Sequence, residues 1–179
     1  MPLPADAIAA YLYAKDGNRP HLLRNAFTPD ATLNIVVHGD GIAFPPVSNG
    51  REAIADALVR QFGQRFENVY TFCLSTPAAE NDRAFHCDWL VAMTEKDNRT
   101  VRVGCGRYDW GFDPASGLAH ALAIHIAHMQ SLAPDSADSI MHWASRLPYP
   151  WCAPADALRT APALPDLAHI LAYMARPSA

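Results

Sequence analysis

Across residues 69–132 the apolar side chains recur at every second position, and this switch away from helical spacing restricts the fold more than any other feature of the chain. Candidate strands cover 69–75, 84–94, 100–112 and 118–132. Two polar turns, Lys96-Asp97-Asn98 and Asp113-Pro-Ala-Ser-Gly117, join the last three strands into an antiparallel meander. Helices first and long strands afterwards predict an α+β architecture with the helices on one face of the sheet, not a parallel doubly wound fold.

Before the switch, Ile8, Tyr11, Leu12 and Lys15 stand at helical spacing, with Gly17-Asn18 as the stop and Pro20 opening a second short helix. Residues 31–37 are β-branched enough for a strand, and Gly39-Asp40-Gly41 with Pro45-Pro46 force a turn and a loop. Asn49-Gly50-Arg51-Glu52 has the pattern of a capping box, and Ile54, Leu58 and Phe62 mark the stripe of a third helix. Beyond Pro134 the chain turns rich in Pro and Ala, with helices predicted over 136–146 and 166–175. Trp143, Trp151, Leu167 and Ile170 make this tail too apolar for a disordered segment. The organisation expected is a domain over 1–133 and a helical extension over 134–179, packed on that domain or on a dimer partner.

A formal charge of −4 with dispersed Lys and Arg lacks the footprint of a nucleic-acid binder. The N-terminus has no signal-peptide pattern, and no segment reaches the roughly 20 apolar residues of a membrane span, so a cytoplasmic protein without membrane partners is expected. Cys73, Cys87, Cys105 and Cys152 are widely spaced and read as reduced, buried thiols.

Alternation puts Phe85, Cys87, Trp89, Val91 and Met93 on one face of their strand, an apolar wall. In the next strand Arg102, Gly104, Gly106, Tyr108 and Trp110 share a face, and the two glycines permit sharp bending.

The helix pair Tyr11-Leu-Tyr13-Ala-Lys15-Asp16 to Phe27, entering a strand at Ala31, resembles the opening of the nuclear transport factor 2-like superfamily, which includes SnoaL-like proteins and ketosteroid isomerases. The resemblance covers about residues 5–132. It implies a cone: a strongly bent mixed or antiparallel sheet on three N-terminal helices, enclosing a pocket and dimerising through its convex face.

The Tyr11-to-Phe27 spacing resembles that following the hydrogen-bonding tyrosine of the isomerases, so Tyr11 inherits that role by resemblance. Their general base would fall near Ile35 and their second oxyanion-hole acid near Gly106, and neither residue moves a proton. Lys15-Asp16 resembles a step in scytalone dehydratase, whose two histidine positions fall on Tyr70 and Met93. The same alignment turns Ala121, Ala123, His125, Ala127 and Met129 toward the cavity and Leu122, Ile124, Ile126 and His128 outward, and Leu122, Ile124 and Ile126 with Leu90 make an outer stripe expected to be covered.

The residues so implied are Tyr11, Tyr108 and His125 for catalysis and Tyr70, Cys87, Trp89, Trp110 and Met129 for ligand binding. A histidine satisfied by backbone or water is the competing reading of His125. Strand parity separates His125 from His120 and His128, so no metal site is expected. Asp16 and Asp30 read as turn and cap acids. The functional expectation is a cofactor-independent isomerase, cyclase or dehydratase acting on a small hydrophobic or aromatic molecule. The alternative is a noncatalytic ligand-binding or dimerisation module.

Overall fold

The structure is a computed structural model that describes residues 2–39 and 42–177. Helix α1, Pro4–Asp16, starts with Pro4 in its first turn, where a missing N–H costs nothing, and Asp6 accepts the Leu3 N–H at 3.2 Å. Its stripe Ile8, Tyr11, Leu12 and Lys15 is buried. A 3-10 turn, Pro20–Asn25, leads into β1, Phe27–Val37, which begins four residues before the strand that β-branching marks. Gly39 follows with φ +99°, while the rest of the expected turn, Asp40 and Gly41, lies outside the described residues.

A short strand β2, Val47–Asn49, pairs with β1 and precedes a helical stretch. That stretch comprises α2, Arg51–Ala55, a π turn, Asp56–Arg60, and α3, Gln61–Arg65. No capping box forms. Asn49 pairs with Thr32 in the sheet, so Gly50, with φ +88°, occupies the cap position instead, and Glu52 reaches Arg60 rather than the cap.

The long strands are β3, Phe66–Cys73, β4, Ala84–Glu95, β5, Val101–Phe112, and β6, Ala119–Leu132. The six strands form one sheet in the order β2-β1-β6-β5-β4-β3. Only the β1–β6 pair is parallel, so the sheet is mixed. It does not close into a barrel; it bends over the N-terminal helices as a cone, and at Gly106 two strands approach closely. A Cβ there would collide with the His125 carbonyl oxygen and come within 2.8 Å of the Trp89 ring, so only glycine allows the close approach.

Two apolar layers result. On the concave face, Trp89, Met93, Tyr108, Ile124 and Ile126 pack against Tyr11, Leu12, Leu58 and Phe62. On the opposite face, Phe72, Leu90, Val101, Val103 and Cys105 pack against the C-terminal helices. These are α4, Ala137–Ala144, α5, Pro154–Thr160, and α6, Ala168–Met174. The extension therefore lies on the sheet of its own chain, with Ile140, Trp143 and Ile170 buried. No helix among the described residues is long and apolar enough to cross a membrane.

The outer stripe expected in β6 is corrected by this layering. Leu122, Ile124 and Ile126 lie inside with Tyr11, and only Leu90 of that stripe faces outward, where the extension covers it. The reason is a bulge: Cys105 pairs with His128 but Gly106 pairs with Ile126, leaving Ala127 unpaired. The extra residue reverses which parity faces the cone.

Candidate functional site

The concave layer is not completely filled. Tyr11 and Lys15 of α1, Leu58 and Phe62 of the second helical stretch, Ile42 and Phe44 before β2, and the wall Ile35, Thr71, Trp89, Val91, Met93, Tyr108, Ile124, Ile126 and Met129 surround a chamber. The cavity they leave is small, about 40 Å³. Such a space is slender, and the flexible thioethers of Met93 and Met129 are the side chains best able to reshape it.

Tyr11 is completely buried, and its ring makes edge contacts with Phe27 at 5.9 Å, Tyr108 at 6.1 Å and Trp110 at 5.5 Å between centroids. Its hydroxyl makes no hydrogen bond of good length and angle among the described residues, the Tyr108 phenol being only a loosely placed partner, and the indole nitrogens of Trp89 and Trp110 have none. A buried donor left without an acceptor costs about 1–3 kcal/mol, so this aromatic cluster is short of oxygen atoms. Burial holds the Tyr11 phenol well above the ordinary tyrosine range, a shift that Tyr108 only partly opposes. Tyr108, stacked on Trp89 at 5.6 Å, is raised by burial and then by Tyr11. Both phenols therefore keep their protons.

At the end of α1 the chamber meets a buried polar cluster. The Lys15 ammonium donates to Thr71 Oγ1 at 2.7 Å and to Asp16 Oδ1 at 3.1 Å, 4.5 Å from the centroid of the Phe62 ring. Asp16 also accepts the Thr71 backbone N–H at 2.7 Å, the Thr71 hydroxyl at 2.7 Å and the Tyr149 hydroxyl at 2.9 Å. Asp16 is thus the hub tying α1, β3 and the C-terminal extension together, more than the turn acid its position suggests. Asp30 is exposed, with no side-chain hydrogen bond among the described residues.

Of the residues expected at the site, Tyr11, Tyr108, Trp89 and Met129 line the chamber. Trp110 stands one ring behind, against Tyr11, and Cys87 belongs to the same apolar layer but lines a different pocket, beside Leu74 and Arg107. Cys87 neighbours Cys73, whose thiol is raised by its interaction with Cys87 and then by burial, so it stays protonated.

Two residues lie elsewhere. Tyr70 is half-buried on the other face of β3, packed against the extension's layer, because Thr71 and Cys73 take the inward positions. His125 lies on the outer face, its Nε2 3.4 Å from Asp109 Oδ2 and its ring stacked on His38 at 6.1 Å, for the parity reason given by the Ala127 bulge. Lys15 and Thr71 are the polar wall residues that strand alternation does not pick out. The signal for Lys15 is its place on the apolar stripe of α1. Among the described residues no three His, Cys, Asp or Glu side chains converge as a metal site would require.

Comparison with known proteins starts from the shape of this cone. A nuclear transport factor 2-like protein from Salmonella enterica serovar Typhimurium is 21% identical, with 67% of this chain and 85% of that one covered and a TM-score of 0.53. A type 2 hexachlorocyclohexane dehydrochlorinase, LinA, is 15% identical over 72% of this chain and 85% of that one, at a TM-score of 0.53. SalBIII, an epoxide hydrolase/cyclase-like enzyme of pyran ring formation in salinomycin, is 17% identical over 69% and 89%, at 0.50. At these identities the likeness shows the fold alone. No curated protein matches the chain. The sequence profile of the SnoaL-like domain matches residues 5–131, from the first helix through the last strand of the cone, and the chain belongs to the SnoaL-like domain family.

Proposed function

We propose that the chamber binds a small hydrophobic or aromatic organic molecule through an oxygen that accepts the Tyr11 hydroxyl. The observation carrying this reading is the buried Tyr11 hydroxyl, which makes no well-formed hydrogen bond among the described residues and is set in a wall of apolar side chains. A ligand oxygen at that point relieves the cost of the poorly satisfied donor, and the surrounding rings supply the apolar contact.

Turnover by proton transfer, as isomerisation, cyclisation or dehydration, is the catalytic form of the proposal, with Tyr11 or Tyr108 donating to an enolate-like oxygen. The dehydrochlorinase and the cyclase-like enzyme on the same fold favour that class. The noncatalytic reading is favoured by Ile35 and Gly106, near which the resemblance to the isomerases would put their acids. His125, on the outer face, has no part in either reading.

The test is a titration followed by intrinsic tryptophan fluorescence, to which Trp89 in the chamber wall and Trp110 behind it contribute, and by calorimetry. Acetophenone, which carries a carbonyl, is expected to bind wild-type protein more tightly than ethylbenzene, which has no oxygen. Tyr11→Phe is expected to erase that preference. Failure of both compounds to bind overturns the proposal, and an undiminished preference in Tyr11→Phe removes Tyr11 from it. Native mass spectrometry of the purified protein provides the search for a natural occupant.

A further inference from the structure

Lys15 follows Tyr11 by one turn on the same face of α1, and both side chains line the chamber. Among the described residues Lys15 is the only charged one lining the chamber. Thr71 and Phe62, which hold its ammonium, line the chamber as well, so the charge sits at the wall rather than behind it.

An ammonium carries three donors. Two are taken by Thr71 and Asp16, and the remaining direction offers an aromatic ring, a weaker partner than a charged oxygen. Asp16 does not depend on Lys15 for its own satisfaction. Its Oδ2 accepts the Thr71 N–H and the Tyr149 hydroxyl, and its Oδ1 accepts the Thr71 hydroxyl. The carboxylate therefore has three donors besides the ammonium, and the ammonium, although paired with Asp16, keeps one N–H beyond its bonds to Thr71 and Asp16 for an anion in the chamber.

Resting on the chamber reading above, we propose that Lys15 selects the occupant, and that the occupant is a small monocarboxylic acid with an aryl or short alkyl body. One carboxylate oxygen accepts from the Lys15 ammonium and the other from the Tyr11 hydroxyl, two donors one helical turn apart. The body of the acid packs on Trp89, Met93 and Ile124. Charge at the ammonium is worth more in this low-dielectric setting than at a surface, and it separates acids from their neutral analogues.

Benzoate and its neutral isostere benzamide are the probes, with intrinsic tryptophan fluorescence and calorimetry as readouts. Wild-type protein is expected to bind benzoate about tenfold or more tightly than benzamide, the scale of one charge-assisted hydrogen bond. Lys15→Met is expected to lose that preference, benzoate affinity falling about tenfold or more while benzamide, which presents only a neutral carbonyl to the ammonium, falls by much less. Lys15→Gln, which preserves a donor to Thr71, is the second variant should methionine impair folding, and the same loss is expected. Benzamide binding without a preference for benzoate in wild-type protein, or a preference that persists in the variants, overturns the role of Lys15 and leaves the chamber reading standing. Failure of both probes and of acetophenone overturns both.

Discussion

The Tyr149 hydroxyl donates to the Asp16 carboxylate at 2.9 Å, a bond that spans 133 residues of sequence. It joins the C-terminal extension to the last residue of α1, directly beside the lysine at the chamber wall. The aromatic ring is anchored separately, against Tyr13 at 5.5 Å and Phe72 at 5.8 Å.

Tyr149→Phe removes the bond and keeps the ring. Asp16 retains its contacts to Thr71 and Lys15, so the expected loss is about 1–2 kcal/mol, not the larger penalty of an abandoned charge. For a chain of this size that corresponds to a fall in Tm of roughly 2–8 °C, which thermal unfolding followed by circular dichroism measures.

Tyr11→Phe has the opposite expectation for stability. Because the Tyr11 hydroxyl is buried without a well-formed hydrogen bond among the described residues, deleting it leaves stability unchanged or raises it by up to about 1 kcal/mol. Acetophenone affinity falls in the same variant. A clear loss of stability in urea denaturation would show that the hydroxyl has a partner in solution.

The two glycines on the concave face of β5 differ in what surrounds them. A Cβ at Gly106 meets backbone, the His125 carbonyl, whereas a Cβ at Gly104 meets the end of the Met129 side chain. Gly106→Ala is expected to cost about 3 kcal/mol or more, and Gly104→Ala roughly 1–2 kcal/mol as the thioether moves aside. Denaturant midpoints of the two variants rank them.

Glu95 governs part of the acid response. Burial alone would raise its carboxyl, but the hydrogen bond and charge of Arg102, with Asn98 and Arg65, outweigh burial and hold it below the usual value of 4.5. A depressed folded value means the stabilisation is complete above the unfolded pKa, near pH 4.5, and disappears as pH falls through the folded one. Glu95→Gln is therefore expected to be less stable than wild type at pH 7 and to show a flatter decline below about pH 4.5, as stability curves at several pH values would record.

Period-two alternation made the inner faces of β4 and β5 legible, because both strands run through the wall without a break: Trp89, Met93, Tyr108 and Trp110 lie where parity places them. In β6 the same rule put His125 inside and Ile124 outside, the reverse of what the fold does. One unpaired residue, Ala127, causes the reversal, and an alanine between His125 and Met129 carries no turn or glycine signal of a bulge. Asn49 misled for a related reason: the capping pattern is local, whereas pairing with Thr32 is a tertiary contact. Lys15 was visible all along on the stripe of α1, but spacing alone does not tell a lysine that stretches out to solvent from one that Asp16 and Thr71 hold inside.

Trp151 forms a lone parallel bridge to Cys73, with the Cys73 N–H bonded to the Pro150 carbonyl at 2.8 Å and the Cys152 N–H to the Cys73 carbonyl at 3.0 Å. The outermost long strand, β3, is thereby clipped by its own tail, and the opposite border is β2, only three residues long. The tail thus closes the Cys73 end of one border, and the other ends in a strand too short to template a long one, so each edge is less open to a foreign strand than its neighbour strands would be alone.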